Sequence, residues 1–81
     1  MLNKKDIHIH LKTWFRKNLG KVPKKNSDLL NSGTLDSFSL MNLVVNCEER
    51  FKFRFKETDF QKKEFRTTDG LIKIIFNRLN K

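Results

Sequence analysis

Eighty-one residues make one small domain, spanning 1–81, whose core is thin, because a chain this short buries roughly 60% of its unfolded surface. Hydrophobic residues are 37% and charged residues 33%, a globular composition that excludes a disordered tail, and no apolar run approaches the ~18 residues of a membrane span. The net charge of +9 suits an anionic partner, and the single cysteine, Cys47, excludes a disulfide framework or a cysteine-based zinc site and fits a reducing cytoplasm. The opening MLNKKDIHIH lacks the apolar centre of a signal peptide, so export is not expected.

The charge is unevenly placed. Residues 1–34 carry eight Lys and Arg against two acids, and residues 50–81 carry ten against four. Residues 35–49 carry no base and three acids, Asp36, Glu48 and Glu49.

The first predicted element is a helix over 5–19. Ile7, Leu11, Trp14, Phe15 and Leu19 form one stripe at helical period, with Gly20 as a stop and Pro23 beyond it. His8 and His10 fall on different faces of this helix and read as solvated or half-buried side chains rather than metal ligands. Residues 20–35 are a connection punctuated by Pro, Gly, Asn and Ser. Its length points to a functional or self-packed loop, pinned by Val22, Leu29, Leu30 and Leu35.

A second helix is predicted over 37–51 with Asp36 as its N-cap. Leu40, Leu43, Val44, Cys47 and Phe51 recur at spacings of three and four and make a core face. Ser39, Asn42, Asn46 and Glu49 make a polar stripe, and Phe38, Met41 and Val45 fall between the two as partly exposed positions.

The alternation in FKFRFK, residues 51–56, has the period of a half-buried strand, but no second strand is available to pair with it. It reads as a helix end running into an extended linker that carries Phe53 and Phe55 to the core. Residues 57–66 form a short irregular segment with Phe60 and Phe65 anchoring a turn of helix. Thr67 or Thr68 caps a last helix running to about Leu79, with Leu71, Ile72, Ile75, Phe76 and Leu79 on its apolar face, Asp69 in its first turn and Arg78 in its last. The expected fold is all-α: a small bundle of three main helices and a short third helix, with a long loop after the first.

The segment SGTLDSFSLMNLV, residues 32–45, resembles the attachment motif of acyl carrier proteins, an Asp-Ser pair followed by a bulky apolar residue that opens a helix. The order of elements resembles that family over nearly the whole chain. Phe38, where Leu is commoner, looks more like D-alanyl carrier proteins and other carriers loaded by an adenylating ligase. The Ser32-Gly33 lead-in and the long segment DFQKKEFRT, residues 59–67, lean the same way.

The resemblance implies 4′-phosphopantetheine esterified to Ser37, with Asp36 and Phe38 as flanking motif residues and an acyl or aminoacyl cargo held as a thioester. It implies three partners: a phosphopantetheinyl transferase, an adenylating ligase and an acceptor transferase or synthase. Phe38, Ser39, Met41, Asn42 and Val45 are the expected partner-binding residues. The departure is in charge, since typical members are strongly acidic and this helix carries no charge from Phe38 to Cys47. A specialised partner reading shape and apolar contact is therefore expected.

A serine at the first helical position is reachable, and a phosphodiester there meets the positive end of the helix dipole. Such a role needs no activated nucleophile. No catalytic triad is apparent, no metal ligand set is present, and the chain is not expected to be an enzyme. A monomer is expected, with no specific nucleic-acid partner. Two alternatives stand beside the carrier: a small basic nucleic-acid-binding domain using Lys24, Lys25, Lys52, Arg54 and Lys56 with Phe53 as a stacking platform, and a carrier-like fold kept as an interaction module with Ser37 unmodified.

Overall fold

Three stretches of helical periodicity become three α-helices in the computed structural model, which describes residues 3–80. The expected domain span of 1–81 runs past the described residues at both ends. The first helix, α1, covers Lys4–Leu19. Asn3 caps it and accepts from the Asp6 amide at 2.9 Å, while Asp6 accepts in return from the Asn3 amide at 3.3 Å. It stops at Gly20, whose φ of 74° is open to glycine without strain and whose amide closes on the Arg16 carbonyl at 3.0 Å. Ile7, Leu11 and Phe15 are buried on one face, with Trp14 and Leu19 partly buried beside them.

The long connection folds on itself. Asp28 accepts from the amides of Leu30 and Asn31 at 3.0 and 2.9 Å, a local turn built by one short side chain. Leu29, fully buried, donates its amide to the Arg66 carbonyl at 2.7 Å. Leu35, 3% exposed, donates to the Leu29 carbonyl at 2.9 Å, so the loop closes just before the second helix begins. Val22 and Leu30 are half-buried.

The second helix, α2, covers Ser37–Phe51. All five residues of its expected core face are buried. It ends at Lys52 in the left-handed region, φ 59°. The chain then runs extended, as expected for a linker rather than a strand. The Phe53 amide meets the Glu48 carbonyl at 3.2 Å, and the Phe55 amide meets the Glu48 carboxylate at 2.9 Å. Phe55 is buried and Phe53 half-buried, their rings edge to face at 4.8 Å.

Residues 57–66 are two 3-10 turns, Glu57–Gln61 and Lys63–Arg66, where one short helix was expected. The reason is a run of bonds to the residue three back: Asp59 to Lys56, Lys62 to Asp59, Phe65 to Lys62 and Thr67 to Glu64. Phe65 anchors the segment from the core, with its ring 5.6 Å from Phe55 and 4.8 Å from Phe60. Phe60 stays 39% exposed and is a weaker anchor than expected.

The third helix, α3, covers Thr68–Leu79. Thr67 is its cap, accepting from the Gly70 amide at 3.0 Å, and Thr68 is buried behind it. Its apolar face is wider than expected: Ile74 is buried with Leu71, Ile72 and Ile75, while Phe76 and Leu79 are partly buried. Gly70 sets how closely α3 meets the second 3-10 turn. A methyl group there would overlap the Glu64 carbonyl oxygen and lie 2.5 Å from that residue's Cα. Among the described residues there are three α-helices and no strand, and no helix is long and apolar enough to cross a membrane.

One polar assembly stands at the edge of this core. Asp59 is fully buried, and Arg78 from the end of α3 donates to both its oxygens, at 3.0 and 2.8 Å. The Lys56 amide donates to the same carboxylate at 2.7 Å, Lys62 lies 3.5 Å away, and Arg78 also reaches the Arg54 carbonyl at 2.9 Å. Arg78, read from the sequence as a dipole partner at a helix end, is thus the clamp between α3, the linker and the first 3-10 turn.

Candidate attachment site at the start of the second helix

The site is set by the way α2 begins. Gly33, at φ 77°, turns the chain, and Ser32 and Thr34 hydroxyls pair across it at 2.8 Å. Buried Leu35 then fixes the next residue at the surface. Asp36 is extended, φ −91° and ψ 176°, and its carboxylate accepts from the Ser39 amide at 2.7 Å. That bond, helped by the Ser39 hydroxyl, holds the Asp36 carboxyl below its ordinary value.

Ser37 follows as the first helical residue, and it is exposed. Phe38 is 75% exposed, and Met41 and Val45, at 47% and 48%, continue down the helix from it. Positions 38, 41 and 45 are spaced three and four apart and so share one face. Asn42 is exposed beside them, and Ser39 is half-buried with its amide in the cap. The structure therefore brings the five expected partner-binding residues onto the outer side of α2, with Ser39 the least accessible.

The expected polar stripe divides. Glu49 is exposed, but Asn46 is half-buried and its side-chain oxygen lies 2.6 Å from Nε2 of His10 on α1. His10 also stands edge-on to Phe51 at 5.2 Å. Glu48 turns to the linker, as described above. This leaves Asp36 and Glu49 as the exposed carboxylates of residues 35–49.

Neither histidine serves Ser37. His10 is engaged by Asn46 and Phe51, and His8 faces Lys25 and Asp69. Cys47 is buried on the core side of α2, and burial pushes its thiol up to about 12, far from a reactive thiolate. Among the described residues no group of three or more His, Cys, Asp or Glu is placed to hold a metal ion. What the arrangement offers chemically is a reachable hydroxyl at a positive helix end, with no base of its own, beside an outward apolar row.

Phe53 is half-buried with its ring against Phe55, so it is a poor platform for stacking bases, although Lys24, Lys25, Lys52, Arg54 and Lys56 are all exposed. The sequence reading missed the Asp59–Arg78 pair, the His10–Asn46 contact and the role of Gly70. No local signal marked Asp59 for burial, since Lys56, Lys62 and Lys63 at spacings of three and four give it the look of a solvated helical acid. A glycine inside the first turn of a helix was the signal for a close backbone approach.

No family model, curated protein or solved structure matches the chain. Its class is thus defined by fold and site alone: an all-helical domain with an exposed serine at the first turn of its second helix.

Proposed function

We propose that the chain is an acyl or aminoacyl carrier whose Ser37 is esterified by 4′-phosphopantetheine. The observation that carries this reading is the exposure of Ser37 between its capping Asp36 and an outward Phe38. A serine that merely starts a helix needs no phenylalanine three-quarters exposed beside it, nor an apolar row continuing through Met41 and Val45. The residues fit the group: an unburied hydroxyl accepts the phosphodiester, and the first turn of α2 supplies positive potential to it.

The group supplies the terminal thiol on which cargo is held as a thioester. The chain's own residues position and present. Asp36 holds the first turn in register through the Ser39 amide, and Leu35 keeps the entering chain fixed from below. Phe38, Met41 and Val45, with Asn42, offer a largely uncharged contact face to a phosphopantetheinyl transferase, an adenylating ligase and an acceptor transferase or synthase. The carrier-like bundle of this reading has the two 3-10 turns in the place of the short third helix. Catalysis is left to the partners.

The test is co-expression with a broad-specificity phosphopantetheinyl transferase followed by intact-mass measurement. The wild type gains the mass of one phosphopantetheinyl group, mapped to Ser37, and Ser37→Ala gains none. A wild type left unmodified by several transferases, or a Ser37→Ala variant that is still modified, overturns the proposal.

A further inference from the structure

A second feature lies apart from Ser37. The first turn of α1, the turn around Lys25 and the start of α3 enclose a hollow of about 250 Å³ lined by Lys4, Lys5, His8, Lys25, Asp69 and Ile72. Three lysines and one carboxylate line it, and Lys12 lies close enough to act on His8 as well. The fold sets two of the lysines. Lys25 is held by its carbonyl, which accepts from the Asp69 amide at 2.9 Å, and the Lys4 ammonium sits over the Phe76 ring at 5.3 Å.

We propose that this hollow binds a multiply charged phosphate group, carried either by a soluble compound or by a lipid headgroup. Lysine ammonium groups bind phosphate as point charges, and three lysines from two separate segments line this hollow. The first turn of α1 adds the positive end of its dipole, offset in part by the capping Asp6 in that same turn. A singly charged carboxylate ligand gains less, because it brings one charge to three lysines where a phosphate brings two or more.

His8 reports on the site. Burial, then Lys25, then Lys12 lower its pKa from 6.5, and Asp69 opposes them. The groups facing it are thus Lys4, Lys5 and Lys12 on its own helix, Lys25 on the loop and Asp69 on α3. A bound phosphate cancels the lysine repulsion and donates its own negative field, so the His8 titration midpoint rises on binding. This inference stands independently of the carrier reading.

The experiment is an NMR titration of the whole chain at physiological salt with inorganic pyrophosphate, beside sedimentation with phosphatidylcholine vesicles containing phosphatidylinositol 4,5-bisphosphate. Amides of Lys4, Lys5, His8, Lys25 and Asp69 should shift together and saturate, and the His8 midpoint should move up. Lys25→Gln should weaken binding about tenfold, and Asp69→Asn should tighten it. Saturation by pyrophosphate supports a soluble ligand, and vesicle binding lost in Lys25→Gln supports a lipid headgroup. The proposal is overturned if neither probe binds, if Lys52, Lys56 and Lys73 shift equally without saturation, or if Lys25→Gln binds as well as wild type with an unchanged melting temperature.

Discussion

Asp36 and Asp59 perform one local task in two opposite settings. Each carboxylate accepts a backbone amide at 2.7 Å and fixes the start of a helical segment. Asp36 stands in water before an exposed serine, with no guanidinium on it. Asp59 is walled in, gripped by Arg78 and bound to three parts of the chain. The start of α2 therefore carries little of the fold beyond its cap, and its outer residues are free to serve a partner. The corner of Asp59 and Arg78 carries the fold, its carboxylate already answered from within the chain. A charged group that is buried must be answered by the rest of the structure, whereas one at the surface leaves its neighbours unconstrained.

The largest loss is expected at Arg78. Arg78→Ala strands the buried Asp59 carboxylate and should cost about 3–5 kcal/mol, with Lys62 keeping the loss toward the lower end. The double variant Asp59→Asn with Arg78→Met should lose less than Arg78→Ala alone, since no charge is left unanswered and an asparagine oxygen can still accept from Lys56. Urea unfolding of the set measures this. Equal losses in the single and double variants would mean that Arg78 acts through its packing rather than through Asp59.

Next in size is the contrast across α2 itself. Leu43 is fully buried, and Leu43→Ala should cost about 2–5 kcal/mol and melt far earlier than wild type. Met41 is about half exposed, and Met41→Ala should stay within about 0.5 kcal/mol of wild type. Under the carrier proposal Met41→Ala nonetheless loads slowly with its cognate ligase. Thermal melting beside a loading assay separates the two, and early melting of Met41→Ala would place that side chain in the core.

The two carboxylates also differ in how acid acts on them. Burial pushes the Asp59 carboxyl up, but the Lys56 amide, Arg78 and Lys62 outweigh it and hold the group below its ordinary 3.8. A group depressed in the folded state stabilises above its unfolded pKa and loses that contribution as pH falls through the folded value. The loss therefore falls below about pH 4, where the unfolded chain takes up the proton first. Asp36 is depressed in the same direction by the Ser39 amide, but from an open position. Melting curves from pH 5 to pH 2 should flatten more in Asp59→Asn than in Asp36→Asn. The reverse order would make the exposed cap the chief acid-sensitive group.

The two regions also differ in how far the sequence disclosed them. The start of α2 is local: a cap, a serine and side chains three and four apart, all within one helix, and periodicity alone places them. The core faces of α1 and α2 were legible for the same reason, down to Cys47. The Asp59–Arg78 pair joins residues nineteen apart, from the first 3-10 turn across the second to the end of α3, and no local pattern encodes it. Residues 57–66 have bonds at spacing three that leave no helical stripe, so their form was legible only as irregular. Ile74 escaped because burial on α3 reaches round to the second 3-10 turn, whose backbone comes close at Gly70. Asn46 looked like a solvated position because its partner, His10, belongs to another helix.

The smallest expected change in stability falls at the residue of most interest. Ser37 is exposed at the first helical position, where its side chain is not the one that caps. Alanine is well tolerated in a first turn, and the bond from the Ser39 amide to Asp36 is untouched by the substitution. Ser37→Ala should therefore melt within about 0.5 kcal/mol of wild type, while losing all modification by the transferase. Asp36→Ala should do the converse in stability, melting clearly earlier because the Ser39 amide loses its acceptor. If Ser37→Ala melts as early as Asp36→Ala, the serine belongs to the helix start and its exposure is incidental. If it melts like wild type and only the modification disappears, the serine is free of structural duty and serves as the point of attachment.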